Sequence, residues 1–173
     1  MVSENFDHKL FLQKVNSLGP RQSFDVEVMD TYFILPKFKH CVFRHRKDRF
    51  IEQLTVKSRD GGNEIRTEIN LDLLKTLDQT KNIRAFLKFI DPEVKSLSIN
   101  KKVEVREFAD CEIVFYQASN HAKKFSCVEF EAIGYDTAEE ALEILKKYEK
   151  VTGFSEFAKC NESLFEMLVE PFL

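Results

Sequence analysis

The sequence predicts an α+β protein: a mainly antiparallel β-barrel with helices packed outside it. Three observations predict this. Short strand-like runs carry charged side chains on alternate residues, tight-turn residues separate those runs, and apolar residues recur elsewhere at helical spacing. Residues i and i+2 of a strand point to one face. Arg44 with Arg46, Arg66 with Glu68, and Glu129 with Glu131 therefore each share a face. Strands that turn both arginines and carboxylates to one side suit a polar cavity better than a core, and such a cavity suits a highly charged anion held with a divalent metal. Closing the hairpins into a barrel removes their exposed edges.

The strand candidates are Phe24–Phe33, His40–Arg46, Phe50–Lys57, Glu64–Leu71, Lys101–Phe108, Glu112–Ala118 and Phe125–Ile133. Asp60-Gly61-Gly62-Asn63 reads as a hairpin turn, because glycine tolerates positive φ. Lys47-Asp48 and Ala109-Asp110 read as two more. Between the strand groups, Leu74, Leu77, Ile83, Phe86, Leu87 and Ile90 predict a helix over Leu71–Ile90, stopped by Pro92. Thr137 and Glu140 stand at capping-box spacing, Ala138, Ala141, Leu142, Leu145 and Tyr148 follow at helical spacing, and Gly153 offers a stop. A last helix is predicted over Glu162–Val169. Each half has basic hairpin strands, then a carboxylate-bearing strand, then a helix. That echo favours a single domain over 1–173 built from two similar halves.

At 173 residues, 43% hydrophobic and 32% charged, the chain is long enough to bury a core. Its 17 Phe residues supply much of the apolar bulk and read as core. No apolar stretch approaches a membrane span and the start lacks a signal-peptide layout, so a cytoplasmic protein without a membrane partner is expected. Lys and Arg number 26 against 29 Asp and Glu, a net charge of -3 that argues against a nucleic-acid surface. Cys41, Cys111, Cys127 and Cys160 form no C-x-x-C pair, and the four histidines show no zinc spacing.

Several motifs, in order, resemble those of the CYTH domains, or triphosphate tunnel metalloenzymes. These include thiamine triphosphatases, inorganic triphosphatases and class IV adenylate cyclases. Asp30-Thr31-Tyr32-Phe33 resembles the family's D-T-Y-F/Y strand and Val42-Phe43-Arg44-His45-Arg46-Lys47 its L-R-x-R-R segment. Leu54-Thr55-Val56-Lys57 resembles L-T-x-K, and Arg66-Thr67-Glu68-Ile69-Asn70 is similar to R-x-E-x-E. Lys101-Lys102-Val103-Glu104 parallels a K-x-R strand, and Val128-Glu129-Phe130-Glu131 an L-E-x-E strand. For the opening E-x-E-x-K strand, Asn5-Phe6-Asp7-His8-Lys9 is the slightly favoured match. The alternative is that residues 7–18 form a helix and the strand is missing. Val103, Asn70 and Tyr116 each stand where the family carries a charge.

The resemblance implies a barrel of the triphosphate tunnel type. In it Lys9, Arg44, Arg46, Lys57, Arg66 and Lys101 would bind phosphate. Asp7, Glu68, Glu129 and Glu131 would hold Mg²⁺ or Mn²⁺, and Lys57 and Glu131 would be catalytic. Arginine grips phosphate oxygens bidentately and lysine acts as a point charge, while hard divalent cations prefer oxygen ligands. The expected function is metal-dependent binding and hydrolysis of a triphosphate-containing substrate. The alternatives are a class IV adenylate cyclase or a catalytically impaired polyphosphate- or nucleotide-binding module. The expected partner is a small-molecule triphosphate or nucleotide, with a homodimer left open. Each charge taken singly also fits a solvated strand face; co-occurrence on successive strands favours the site.

Overall fold

The computed structural model describes residues 6–58, 68–74, 79–154, 164–169 and 171. In chain order the elements are α1 (His8–Ser17), β1 (Gln22–Ile34), a 3-10 turn (Pro36–Phe38), β2 (Cys41–Lys47), β3 (Glu52–Ser58), β4 (Glu68–Asp72) and α2 (Thr80–Ile90). Then follow β5 (Lys95–Glu107), β6 (Cys111–Ser119), β7 (Lys124–Ala132), α3 (Ala138–Thr152) and α4 (Leu164–Leu168). The fold is α+β, with one seven-stranded antiparallel sheet in the order β4-β3-β2-β1-β5-β6-β7. The closed barrel expected from the sequence is an open sheet among the described residues, with β4 and β7 at its two ends. No helix of the described residues is long and apolar enough to cross a membrane.

Two further expectations are corrected. The opening segment is helix, not strand: the Asp7 carboxylate accepts from the Leu10 amide and caps α1, whose Phe11 and Val15 are buried one turn apart. The second helix starts at Thr80 rather than Leu71, because Leu71 is still paired with Leu54 across β3 and β4 and the Leu73 amide bonds the Glu52 carbonyl. Strand β5 begins at Lys95, six residues before the predicted start. The Asp60–Asn63 turn lies outside the described residues, whereas the other two tight turns form, with Asp48 bonded to Ile51 and Phe108 to Cys111.

The chain divides into two compact units. One comprises Met1–Val26, Lys102–Ala118 and Lys124–Cys160; the second comprises Glu27–Lys101, Ser119–Lys123 and Asn161–Leu173. In the first unit, α1 and α3 supply Phe11, Val15 and Tyr148 to a core completed by Phe108, Cys111, Ile113 and Phe115. Helix α3 begins in a full capping box between Thr137 and Glu140 and stops where Gly153 turns left-handed at φ 78.

In the second unit, β1 to β4 form an antiparallel meander whose register separates two faces. Asp30 lies opposite Arg46, Arg44 opposite Thr55, Thr55 opposite Asn70, and Lys57 opposite Glu68. These side chains make one polar face. The alternate residues make the other face, where Phe33 and Leu54 pack with Leu35 and with Ile83 and Leu87 of α2. A buried pair, His45 to Glu52 at 3.0 Å, sits on that same face, and Glu52 also accepts from the Gln79 amide that starts α2. The apolar side is therefore the one under a helix, as the sequence pattern implied.

Replacing Leu87, which is fully buried, with alanine should lower the unfolding free energy by about 2–5 kcal/mol. Phe89→Ala, two positions along on the exposed side of the same helix, should change it by no more than about 0.5 kcal/mol. Urea denaturation of the two variants beside the parent checks this contrast.

Candidate anion site

The polar face of the second unit is organised around Asp30, which is completely buried. Its carboxylate is gripped on both oxygens by one guanidinium: Arg46 Nε donates to Oδ1 at 2.8 Å and Nη2 to Oδ2 at 3.0 Å. Lys101 Nζ, from β5, approaches Oδ2 at 2.7 Å. Burial by itself would raise the Asp30 pKa. Lys101 and Arg46 more than offset that effect, and the carboxyl is held well below the usual carboxylate range.

Beside this clamp lies Arg44, also buried. Its Nη2 donates to Thr55 Oγ1 at 3.2 Å and stands 4.0 Å from Glu68 Oε2. Thr55 in turn donates to Asn70 Oδ1 at 2.8 Å. The Nε–H of Arg44 is buried with no hydrogen-bond partner. An unpaired donor on a buried cation costs free energy that an incoming anion would recover. At the open end Lys57 Nζ is ion-paired with Glu68 Oε1. Burial, then the neighbouring Arg44 charge, lowers the Lys57 pKa, and the Glu68 contact only partly opposes them.

Of the residues expected to bind phosphate, Arg44, Arg46, Lys57 and Lys101 are thus brought together in one unit. Glu68 joins them as a partner of Lys57. Lys9 is exposed on α1, and Asp7 is occupied as that helix's cap. Glu129 and Glu131 belong to β7 of the first unit. There Glu129 accepts the Tyr116 hydroxyl, while burial, then Glu131 and Glu107, raise the Glu112 pKa. Arg66 lies outside the described residues. Tyr116, read from the sequence as a lost charge, instead donates to a carboxylate, and its own pKa is pushed far above the tyrosine range by burial and by Glu129.

Mg²⁺ or Mn²⁺ needs carboxylates with free lone pairs. Among the described residues no group of three His, Cys, Asp or Glu side chains is placed to share a metal ion. In the second unit both Asp30 and Glu68 are held by cations. These two carboxylates therefore act as counter-ions of the basic cluster in this structure.

Two contributors escaped the sequence reading. Asp30 was legible only as part of a motif, and the signal for it was one acid on a strand face otherwise made of Val26, Val28 and Tyr32. Thr55 was likewise legible only as a letter of the L-T-x-K motif, although it shares a face with Lys57.

The fold is a known one. The chain resembles the PH1012 protein of Pyrococcus horikoshii, with 19% identity, 94% of each chain covered and a TM-score of 0.74. A conserved hypothetical protein of Pyrococcus furiosus matches at 22% identity and TM-score 0.73, over 94% of this chain and 95% of that one. A protein of Bacillus halodurans described as a candidate adenylate cyclase matches at 14% identity and TM-score 0.65, covering 95% and 94%. At these identities the likeness establishes the fold. No family model and no curated protein matches the chain.

Asp30→Asn should destabilise the protein by about 3 kcal/mol at neutral pH, because buried Lys101 and half-buried Arg46 lose their counter-charge. The pH dependence has a definite sign. A carboxyl whose folded pKa is depressed stabilises the fold above its unfolded pKa of about 3.9, and that stabilisation is lost as pH falls through the folded value. Chemical denaturation measured from neutral to strongly acid pH should therefore show a steep acid limb in the parent and a flatter one in Asp30→Asn.

Proposed function

We propose that the polar face of the second unit binds the phosphate chain of a small-molecule triphosphate. The observation that carries this reading is Arg44, a buried guanidinium with an unpartnered Nε–H. It stands on one sheet face with Arg46, Lys57 and Lys101. Positioning and charge neutralisation are most of what phosphoryl chemistry asks of a protein. The ordered motifs and the fold likeness support a CYTH-type tunnel as the frame for this site. Asp30 holds Arg46 and Lys101 in place, and Thr55 steadies Arg44. Lys57 is the cation at the open end, free to exchange Glu68 for a phosphate oxygen.

Hydrolysis of the bound chain, with Mg²⁺ or Mn²⁺ supplied as its counter-ion, is the reaction this reading attaches to the site. A nucleotide substrate is the second reading, favoured by the likeness to the Bacillus halodurans candidate adenylate cyclase. A catalytically silent binder is the third, favoured by the engaged carboxylates.

Calorimetric titration with tripolyphosphate tests the binding step. The parent should bind, Arg44→Ala and Lys57→Ala should each weaken binding about tenfold or more, and added salt should weaken it further. Because Lys57 titrates below its ordinary value of 10.5, binding should decline with rising pH before that value is reached. Absence of binding by the folded parent would overturn the reading. Released phosphate, cyclic nucleotide or unchanged ligand then separates triphosphatase, cyclase and binder.

A further inference from the structure

Two acids on the polar face of the second unit are held in opposite ways. Asp30 has a side chain with no exposure and takes Arg46 and Lys101. Glu68 sits on exposed strand β4, directly across from Lys57, and its side chain is 32% exposed. Its Oε1 is ion-paired with Lys57 Nζ, and its Oε2 stands 4.0 Å from Arg44 Nη2. One carboxylate thus spans the two cations of this face that Asp30 does not pair with.

The span is incomplete. At 4.0 Å the Arg44 contact lies beyond hydrogen-bond reach, and the Nε–H of this buried guanidinium keeps no partner. A carboxylate offers one charge on two oxygens. A phosphate chain offers several charges on more oxygens, enough to engage Lys57 and Arg44 together. Releasing Glu68 costs little, because its head is half-exposed and would pass into water rather than stay buried and unpaired. Yet a carboxylate tethered directly across from Lys57 is present at an effective concentration of roughly millimolar or above. An incoming anion must outcompete it.

We propose that Glu68 is a built-in competitor of the anion site, a tethered carboxylate that occupies Lys57 and flanks Arg44 until a polyanion displaces it. The inference rests on the anion reading and adds to it the group that the ligand must expel. Asp30 and Glu68 then divide the work of one face. Asp30, buried and doubly paired, holds its cations in place and does not yield. Glu68, at the open end, is the acid placed to leave. While it stays, it also counters the repulsion between Lys57 and the neighbouring Arg44 charge.

Calorimetric titration of the full chain with tripolyphosphate at neutral pH tests the proposal. Glu68→Gln keeps the side chain's shape and removes its charge, and it should tighten binding about threefold or more. Asp72→Asn removes the same charge from the same face of β4, where Asp72 accepts from Gln53 and touches no cation of the cluster. Four strand residues put it roughly 13 Å from Glu68, beyond the Debye length of about 8 Å at 0.15 M salt. Its affinity should stay within about twofold of the parent. Circular dichroism and melting temperature should match the parent in both variants, since β4 is exposed. Binding by Glu68→Gln no tighter than by the parent, or an equal gain in Asp72→Asn, would overturn the competitor role and leave the anion site standing. No binding by the parent or by Glu68→Gln would overturn the anion reading and this inference with it.

Discussion

The polar half of the second unit depends on one buried carboxylate. Asp30 has no access to water, and two cations from different strands converge on it, Arg46 through both oxygens and Lys101 through one. Charges taken out of water are tolerated only when geometry and hydrogen bonding compensate for lost hydration. Here a single acid neutralises part of a concentration of positive charge that would otherwise repel itself. It also fixes where Arg46 and Lys101 point, because a bidentate guanidinium contact tolerates little rotation. Arg44 is the exception, since it retains an unpaired donor. The proposed anion site rests on both conditions, cations held still and at least one left unsatisfied.

Register carries the second constraint. Side chains alternate across a sheet, so a one-residue slip of β2 would exchange Arg44 and Arg46 for Phe43 and His45. The slip is opposed from the other face. Phe33 and Leu54 must stay beneath Ile83 and Leu87, and the His45–Glu52 pair must stay beneath the first turn of α2. The helix that covers the apolar side thereby holds the charged side in alignment. Strand β4 is the least supported member: five residues, all exposed and, among the described residues, bordered by β3 alone. It contributes Glu68 and Asn70 to the polar face and Ile69 and Leu71 to the opposite one.

Much of this was readable before any coordinates. The alternation in Val42–Lys47 and Leu54–Lys57 placed Arg44, Arg46 and Lys57 on one face, and the register of β2 and β3 agrees. The capping box at Thr137 and the stop at Gly153 located α3 because both signals are local. Other readings failed for identifiable reasons. Asp7 and Lys9 fit a degenerate strand motif, yet Asp7 is also a good helix cap, and burial of Phe11 and Val15 decided for the helix. Leu71 and Leu74 extended the helical spacing backwards from α2, but a cross-strand partner at Leu54 outweighed that pattern. Asp30 was seen as a letter in a motif and not as the centre of a charge cluster.

Local order along the chain determined the α+β class, the inward arginines and lysine, and the helix ends with strong caps, because periodicity and capping act over a few residues. Only the tertiary structure decided which charges meet. Arg46 finds Asp30 across sixteen positions of sequence, Lys101 reaches the same acid from a later strand, and Glu129 is taken up by Tyr116. Those pairings follow from strand order and burial. A carboxylate's role, as counter-ion, cap or ligand, is set by which neighbours share its low-dielectric surroundings, and spacing along the chain does not encode that.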